Sequence, residues 1–241
     1  MGSVVLMYHD IVVSGDKTSG FQNTTAFQYK LDEKAFEEHV EALTGKDVVF
    51  TFDDGGVSFL TEAAPILEKH GRKGIFFIST KYIGTSGFLD EKQIQELSRR
   101  GHAIGSHTHT HPGIFTKLSS EEIENEWSQS YTILREILGD VELPASVPNG
   151  YASRMILDMA NRCGFKKIFT SQPTTEEIDS NGCTIIGRYV VLNGMTGDDV
   201  LRIVNNRSYR LKLSVKWHLL NMLKRILGSS YDTIKTKIMC H

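Results

Sequence analysis

The chain has 241 residues, 40% of them hydrophobic and 23% charged, with 21 glycines and 5 prolines. That is enough apolar material for one large α/β domain, and it excludes a disordered tail, a collagen-like fibre and a disulfide-stapled mini-domain. The formal charge of −2 is uneven: residues 207–241 carry eight basic side chains (Arg207, Arg210, Lys212, Lys216, Lys224, Arg225, Lys235, Lys237) and one acid (Asp232), net +7, which leaves 19 basic against 28 acidic side chains, net −9, on residues 1–206.

An acidic body argues against nucleic-acid binding. Cys163, Cys183 and Cys240 are odd in number, far apart and in no Cys-x-x-Cys spacing, which reads as reduced thiols in a reducing compartment. No run of 18 apolar residues marks a membrane span. The start, Met1 to His9, lacks the basic region of a signal peptide, and Leu6 stands where a myristoylation signal needs Ser or Thr. The expected compartment is the cytoplasm.

In chain order, residues 4–8 predict a first strand. Asp32 can cap a helix that brings Phe36, Val40 and Leu43 to one face. Residues 48–52 are the continuous apolar run of a strand buried on both faces. A helix through Ala63, Ala64, Ile66 and Leu67 stops at Gly71, and the strand 75–78, a helix over 90–100 and the strand 102–105 follow. Ser119 and Glu122 form a capping box ahead of Ile123, Trp127, Tyr131, Leu134 and Leu138 at helical spacing. Strands fit 145–147, 167–170 and 184–191, with a helix over 151–163 between the first two and a short helix near 197–205. Strands alternating with helices predict a parallel sheet, doubly wound or closed into a barrel. In either form chemistry collects at strand C-termini, which here carry His9, Asp53-Asp54, the 107–111 cluster, Pro148-Asn149-Gly150 and Asn193.

Two of these places are anomalous. Asp53 and Asp54 put adjacent carboxylates directly after a buried strand, where desolvation is costly. Neighbouring strand residues point to opposite sides, so the two cannot share one role, and Gly55 and Gly56 allow a sharp turn close to a ligand. The plain alternative is a turn that caps the next helix. In the segment 106–112, three histidines fall within five residues after a strand; His107 and His111, at i,i+4, fit one face of a metal site. His109 points away from them on a helical turn or toward them on an extended segment. Asp54 or Asp53 with His107 and His111 makes a two-His, one-carboxylate site with open positions, suited to zinc hydrolysis or to non-haem iron. The spare carboxylate favours hydrolysis, which needs a general base.

The run Thr51-Phe52-Asp53-Asp54-Gly55, followed 53 residues after Asp54 by His107-Thr108 and His111-Pro112, resembles the polysaccharide deacetylases of the NodB-homology type, a carbohydrate esterase family. The likeness extends from Val4 to about Asn206 and includes Tyr8-His9, the helix 64–71 before Ile75-Phe76-Phe77-Ile78, and Gly101-His102-Ala103-Ile104-Gly105. It implies an α/β fold, a distorted (β/α) barrel of about seven parallel strands over residues 1–206, with 207–241 as a basic helical extension. It implies that Asp54, His107 and His111 hold a divalent metal, usually zinc, and that Asp53 is the base that activates water against an N-acetyl carbonyl. The family's third motif, Arg-x-Pro-Tyr-Gly, reads Ser146-Val147-Pro148-Asn149-Gly150 here. Pro148 and Gly150 keep the loop shape and the Asn149 N–H can serve the oxyanion; the base-orienting Arg is replaced by Ser146, with Arg188 as the candidate spatial substitute. The last motif, Leu-His, reads Val191-Leu192-Asn193 without a His. In one branch of the family that strand comes first in the chain, which makes His9 of Tyr8-His9 the general acid; Leu192 or Met195 lines the acetyl pocket.

The implied function is metal-dependent removal of N-acetyl groups from amino sugars of a polysaccharide or glycolipid precursor in a bacterial-type enzyme. The missing third-motif Arg keeps open a deformylase or cyclic-amide hydrolase of the same superfamily. A catalytically silent glycan-binding protein is the reading from another class, against which the complete set Asp53, Asp54, His107 and His111 counts. The expected partners are an N-acetylated glycan or lipid-linked sugar and no nucleic acid. From about Trp217 the tail is amphipathic, with Leu219, Met222, Leu223, Ile226 and Leu227 on one side and His218, Asn221, Lys224 and Arg225 on the other. That pattern suits a helix lying on an anionic membrane surface, peripheral to the inner membrane, or a helix packed on the body with solvated cations.

Overall fold

A computed structural model of the chain describes residues 2–13, 18–150 and 152–227, with the backbone alone for 223–227. The strands are β1 (Val4–Tyr8), β2 (Ile11–Val12), β3 (Leu31–Asp32), β4 (Val48–Phe52), β5 (Gly74–Ile78), β6 (Ala103–Ser106), β7 (Ala145–Ser146), β8 (Lys167–Phe169), β9 (Glu177–Ser180), β10 (Cys183–Ile186) and β11 (Tyr189–Val190). Between and after them run α1 (Thr24–Phe27), α2 (Glu33–Ala42), α3 (Ala64–Lys69), α4 (Glu91–Arg99), α5 (Ser120–Leu138), α6 (Arg154–Arg162), α7 (Gly197–Asn205) and α8 (Arg207–Leu227).

Nine strands hydrogen-bond in the order β11-β1-β4-β5-β6-β7-β8-β10-β9, and β2 and β3 form a small separate pair. Every neighbour pair of the large sheet is parallel except β10 with β9. The fold is therefore α/β with a mostly parallel sheet. Eight strands laid flat at about 4.8 Å spacing would hold β11 and β10 about 34 Å apart. Yet only Gly187 and Arg188 separate Ile186 from Tyr189, a reach of about 11 Å at most. The sheet must curl round on itself. The run that forms β10 and then β11 joins the two ends, β10 pairing with β8 and β11 with β1.

Side-chain alternation then divides the apolar residues between the two faces. Val5, Phe77 and Phe169, with Val49, Ile75 and Ile186, form a small cluster on the concave side. Leu6, Tyr8, Phe50, Phe52 and Phe76 join the large core that the helices cover. The helices are held in place by caps legible in the sequence. Asp32 accepts from Lys34 N at the start of α2, and the Ser119–Glu122 box closes in both directions on α5. On α5, Ile123, Trp127 and Leu134 are fully buried, and Trp127 Nε1–H donates to the Ile156 carbonyl of α6 at 3.2 Å.

Three elements differ from the sequence expectation. The predicted strand 184–191 is two strands, broken at Gly187-Arg188. A Cβ on Gly187 would stand 2.4 Å from the Gln172 carbonyl oxygen, and Arg188 N–H donates to that same oxygen. The strand β9 pairs antiparallel with β10 around Asn181 (φ 51°) and Gly182 (φ 80°), an Asn-Gly hairpin. In the tail helix, which begins at Arg207, the apolar side chains lie on two faces, Trp217 and Leu220 half-buried and Leu219 and Met222 exposed, where one apolar side is expected. The predicted side-chain positions of Leu223, Lys224, Arg225, Ile226 and Leu227, and everything in 228–241 including Cys240, lie outside the described residues.

Trp127→Ala removes the largest buried side chain and a donor to α6, so it should lower the unfolding free energy by about 3–5 kcal/mol, measured by urea denaturation.

Candidate active site

The site grows from the end of β4. Asp53 N–H donates to the Tyr8 carbonyl at 3.0 Å, which carries the β1–β4 pairing one residue beyond Phe52. Its side chain therefore follows Val49 and Thr51 to the concave side, where it meets Arg188. That guanidinium is fully buried and grips both carboxylate oxygens, Nη1 to Oδ1 at 2.7 Å and Nη2 to Oδ2 at 2.8 Å. Its remaining donors reach Thr51 Oγ1 (3.2 Å), the Thr170 carbonyl (3.2 Å) and Ser146 Oγ (2.7 Å), and it lies over the Phe77 ring. Ser146 in turn donates to Asp53 Oδ2 at 3.2 Å. Burial by itself raises a carboxyl pKa; here the charge and hydrogen bonds of Arg188, with His107 beside it, outweigh burial and hold Asp53 well below the ordinary carboxylate range.

Asp54 leaves the strand at once. Its φ of 92°, followed by 97° at Gly55, swings the chain away and turns the second carboxylate out of the alternation. Gly56 answers a different need from the ligand approach expected of it: a Cβ there would stand 1.9 Å from Asp10 Oδ1. Asp10, buried behind the turn, accepts from Ser19 Oγ (2.6 Å) and Ser58 Oγ (2.9 Å) and faces Lys30 Nζ at 4.0 Å.

The two histidines come from the end of β6. His107 Nδ1 lies 3.0 Å from the Ser146 carbonyl, a bond that requires the proton on Nδ1 and leaves Nε2 with a free lone pair. His107 Nε2 stands 3.6 Å and His111 Nε2 3.4 Å from Asp54 Oδ1. Left-handed backbone at Thr108 (φ 66°) and His111 (φ 55°) loops the chain back so that both rings converge, and His111 N–H donates to Thr108 Oγ1. His109 takes the other direction, its Nδ1 3.0 Å from Thr80 Oγ1, so it is outside the set. Glu126 of α5 braces the loop, accepting from His109 N (3.0 Å), Thr110 N (2.8 Å) and Thr110 Oγ1 (2.5 Å).

Asp54, His107 and His111 offer three donor atoms within 4.8 Å of one another. Two neutral imidazoles and a carboxylate suit a first-row divalent ion with open positions. Burial pushes His107 down to about 3, so it is neutral at pH 7, and burial pushes Asp54 up to about 7, opposed by His9 and reinforced by Asp53 and Asp10. A bound cation would supply the counter-charge that favours ionised Asp54. Glu37, Glu41 and His70 also converge within 4.8 Å, but at the surface, with Lys69 Nζ on Glu37 at 2.5 Å.

The remaining predicted residues surround this centre. His9 stacks beside Tyr29 at 4.5 Å between ring centroids. Burial lowers its pKa while the charges of Asp54 and Asp53 pull it back, and its buried Nδ1 has no hydrogen-bond partner among the described residues. Met7 pairs with Val190, so Leu192, half-buried, runs alongside His9. Its N–H points to Met195 Sδ at 3.3 Å. Pro148 is buried, and Asn149, exposed and left-handed (φ 54°), bonds through Nδ2 to the Pro112 carbonyl, joining its loop to the histidine loop. Sequence reasoning missed Glu126 and Asp10; Glu126 had a signal, a charge between Ile123 and Trp127 on the buried face of a predicted helix.

Residues 41–168, 128 of the 241, match the family model for polysaccharide deacetylase. YxkH of Bacillus subtilis is 26% identical over 216 residues, 80% of this chain and 72% of that one. The peptidoglycan-N-acetylmuramic acid deacetylase PdaA of the same organism is 30% identical over 129 residues, 52% of this chain and 47% of its own length. Unlike YxkH, PdaA is thus spanned over less than half its length. Among solved structures, a Streptococcus pyogenes deacetylase in complex with acetate superposes with a TM-score of 0.70 at 22% identity, covering 85% of this chain and 99% of that one. The polysaccharide deacetylase BC0361 from Bacillus cereus gives 0.71 at 19%, covering 85% and 69%. At these identities the two structures share the fold.

Arg188→Met leaves the Asp53 charge buried and unanswered, which should cost about 3–5 kcal/mol at pH 7. In the intact protein the lowered Asp53 pKa contributes stability that is present above the unfolded value near 4 and lost as pH falls through the folded one. In the variant, burial alone raises Asp53, so the deficit should shrink between pH 7 and about pH 4. Urea unfolding of chelator-treated protein at both pH values reads this; an equal deficit at both would mean that Arg188 acts through packing alone.

Proposed function

The chain belongs to the polysaccharide deacetylase family, and from that premise we propose that it is a metal-dependent hydrolase removing N-acetyl groups from amino sugars of a glycan. Residues 1–206 form its catalytic unit and 207–241 an addition to it. The observation that carries this reading is the separation of two adjacent carboxylates: Asp53 held by Arg188 at 2.7 and 2.8 Å, Asp54 turned to two imidazoles at 3.4 and 3.6 Å. The substrate named for PdaA, peptidoglycan N-acetylmuramic acid, supports the same substrate class.

Asp54, His107 and His111 are the residues that hold the ion, and zinc fits their donor set. A divalent cation bound there would polarise the acetyl carbonyl and bring the pKa of water near neutrality, easing the loss of a proton to Asp53, which Arg188 keeps a weak base. Asp53 takes the proton of the attacking water. Arg188 and Ser146 orient the base, the guanidinium doing from the β10–β11 break what the family's third-motif Arg does elsewhere. The Asn149 N–H, aimed by the left-handed turn that Pro148 and Gly150 frame, donates to the oxygen as its negative charge develops. His9 protonates the departing sugar amine, and Leu192 walls the acetyl group on the His9 side.

Asp53→Asn should keep the metal and lose acetate release, whereas Asp54→Ala and His111→Ala should lose the metal itself; elemental analysis alongside an acetate assay on N-acetylated chito- and muropeptide oligosaccharides separates the two. Turnover by Asp53→Asn at the parent rate would remove Asp53 as the base. His9→Ala should lower kcat by ~10²–10⁴-fold with metal content unchanged; a loss under about tenfold would assign the proton to another donor. Formate release from N-formyl analogues, run beside acetate, tells the deacetylase from a deformylase of the same fold.

A further inference from the structure

The most exposed large apolar side chains of the described residues are not scattered. Leu211 (65%), Val215, Leu219 and Met222 (52% each) all belong to α8, and Ile178 is the one other above half exposure. At about 100° per residue these four fall within about 80° of arc. Around the helix from them, Tyr209 and Leu213 pack against the core, with Trp217 and Leu220 also half-buried. The helix thus has two apolar faces, one that seats it on the body and one left facing water.

The borders of the outer face carry one sign of charge. Arg207 flanks one edge and Lys212 and Lys216 the other, all exposed, and the helix contains no Asp or Glu to pair with them. This stands against a body whose net charge over residues 1–206 is −9. A second copy of the same face would bring cations against cations with no acid between them. A surface that offers hydrocarbon and negative charge together satisfies both features. No described helix is long and apolar enough to cross a membrane.

We propose that the outer face of α8 docks the protein on an anionic lipid surface. The helix lies parallel to the bilayer, with Leu211, Val215, Leu219 and Met222 at the boundary of headgroups and acyl chains and Arg207, Lys212 and Lys216 on the lipid phosphates. The inference makes no use of the chemistry at Asp53 and Asp54, so it stands or falls independently of the deacetylase reading.

The test is co-sedimentation of the full chain with vesicles of phosphatidylglycerol and phosphatidylcholine in equal parts, and with vesicles of phosphatidylcholine alone. Binding is expected to the mixed vesicles, weakening as salt is added. The pair Lys212→Gln, Lys216→Gln should weaken it on the order of 30-fold, from about fivefold per cation, and the pair Leu219→Gln, Met222→Gln should weaken it while leaving Tm and activity on a soluble oligosaccharide unchanged. Equal binding by both variants and the parent, or equal binding to neutral vesicles, would overturn the proposal. So would a parent chain that fails to bind vesicles and is dimeric by light scattering, with Leu219→Gln, Met222→Gln returning it to monomer, which assigns the face to a second copy.

Discussion

Asp53 is 3% exposed and Arg188 not exposed at all, and the charge of each is bearable there because of the other. A single guanidinium in the connection between β10 and β11 bonds to Asp53 and Thr51 of the β4 segment, to Ser146 of β7 and to the carbonyl of Thr170 after β8. Those strands lie around the curl, and the arginine sits where the chain passes from β10, paired with β8, to β11, paired with β1. Planar, five-donor guanidinium chemistry is what permits one side chain to span them. A buried ion pair of this kind adds little net stability but makes the loss of either partner expensive. Loss of either partner would leave an unanswered charge where these strands meet, and the catalytic candidates at the mouth inherit their positions from the pair.

The same pair explains how two neighbouring carboxylates come to differ. Strand alternation delivers Asp53 to a cation and depresses its pKa; a left-handed φ at Asp54 delivers the next side chain to neutral imidazoles in a buried place, and its pKa rises to about 7. Pairs of titratable groups pushed in opposite directions are how sites divide acid, base and ligand roles. The strained turn has support from below: Asp10 under Gly56, with Ser19, Ser58 and Lys30 around it, and Glu126 under the histidine loop.

What was legible in the sequence follows from how local each signal is. Asp53, Asp54, His107 and His111 stand at the ends of runs whose strand character is written in their own residues, so their convergence follows once the strands are parallel. The direction of His109 is decided by two left-handed residues and by Glu126 on a helix seventeen positions away, and no spacing rule contains that. Arg188 could be named as the partner of the base only through the resemblance, since a distance of 135 residues is closed only by the curl of the sheet. The hairpin at Asn181-Gly182 was readable and went unread because the apolar run after it drew one long strand across the break at Gly187. The second apolar face of α8 was masked by mixed periodicity, which two apolar faces on one helix produce.

Those two faces also govern how the protein behaves away from any surface. Hydrocarbon at Leu211, Val215, Leu219 and Met222 attracts its like in water, while Arg207, Lys212 and Lys216 beside it repel. The repulsion is carried through solvent and shrinks with the screening length, about 10 Å at 0.1 M salt and 3 Å at 1 M, whereas the attraction is not screened. Colloidal behaviour is thereby tied to ionic strength with the opposite sense to simple salting-in: dilute electrolyte keeps the molecules apart and concentrated salt lets the helices find one another.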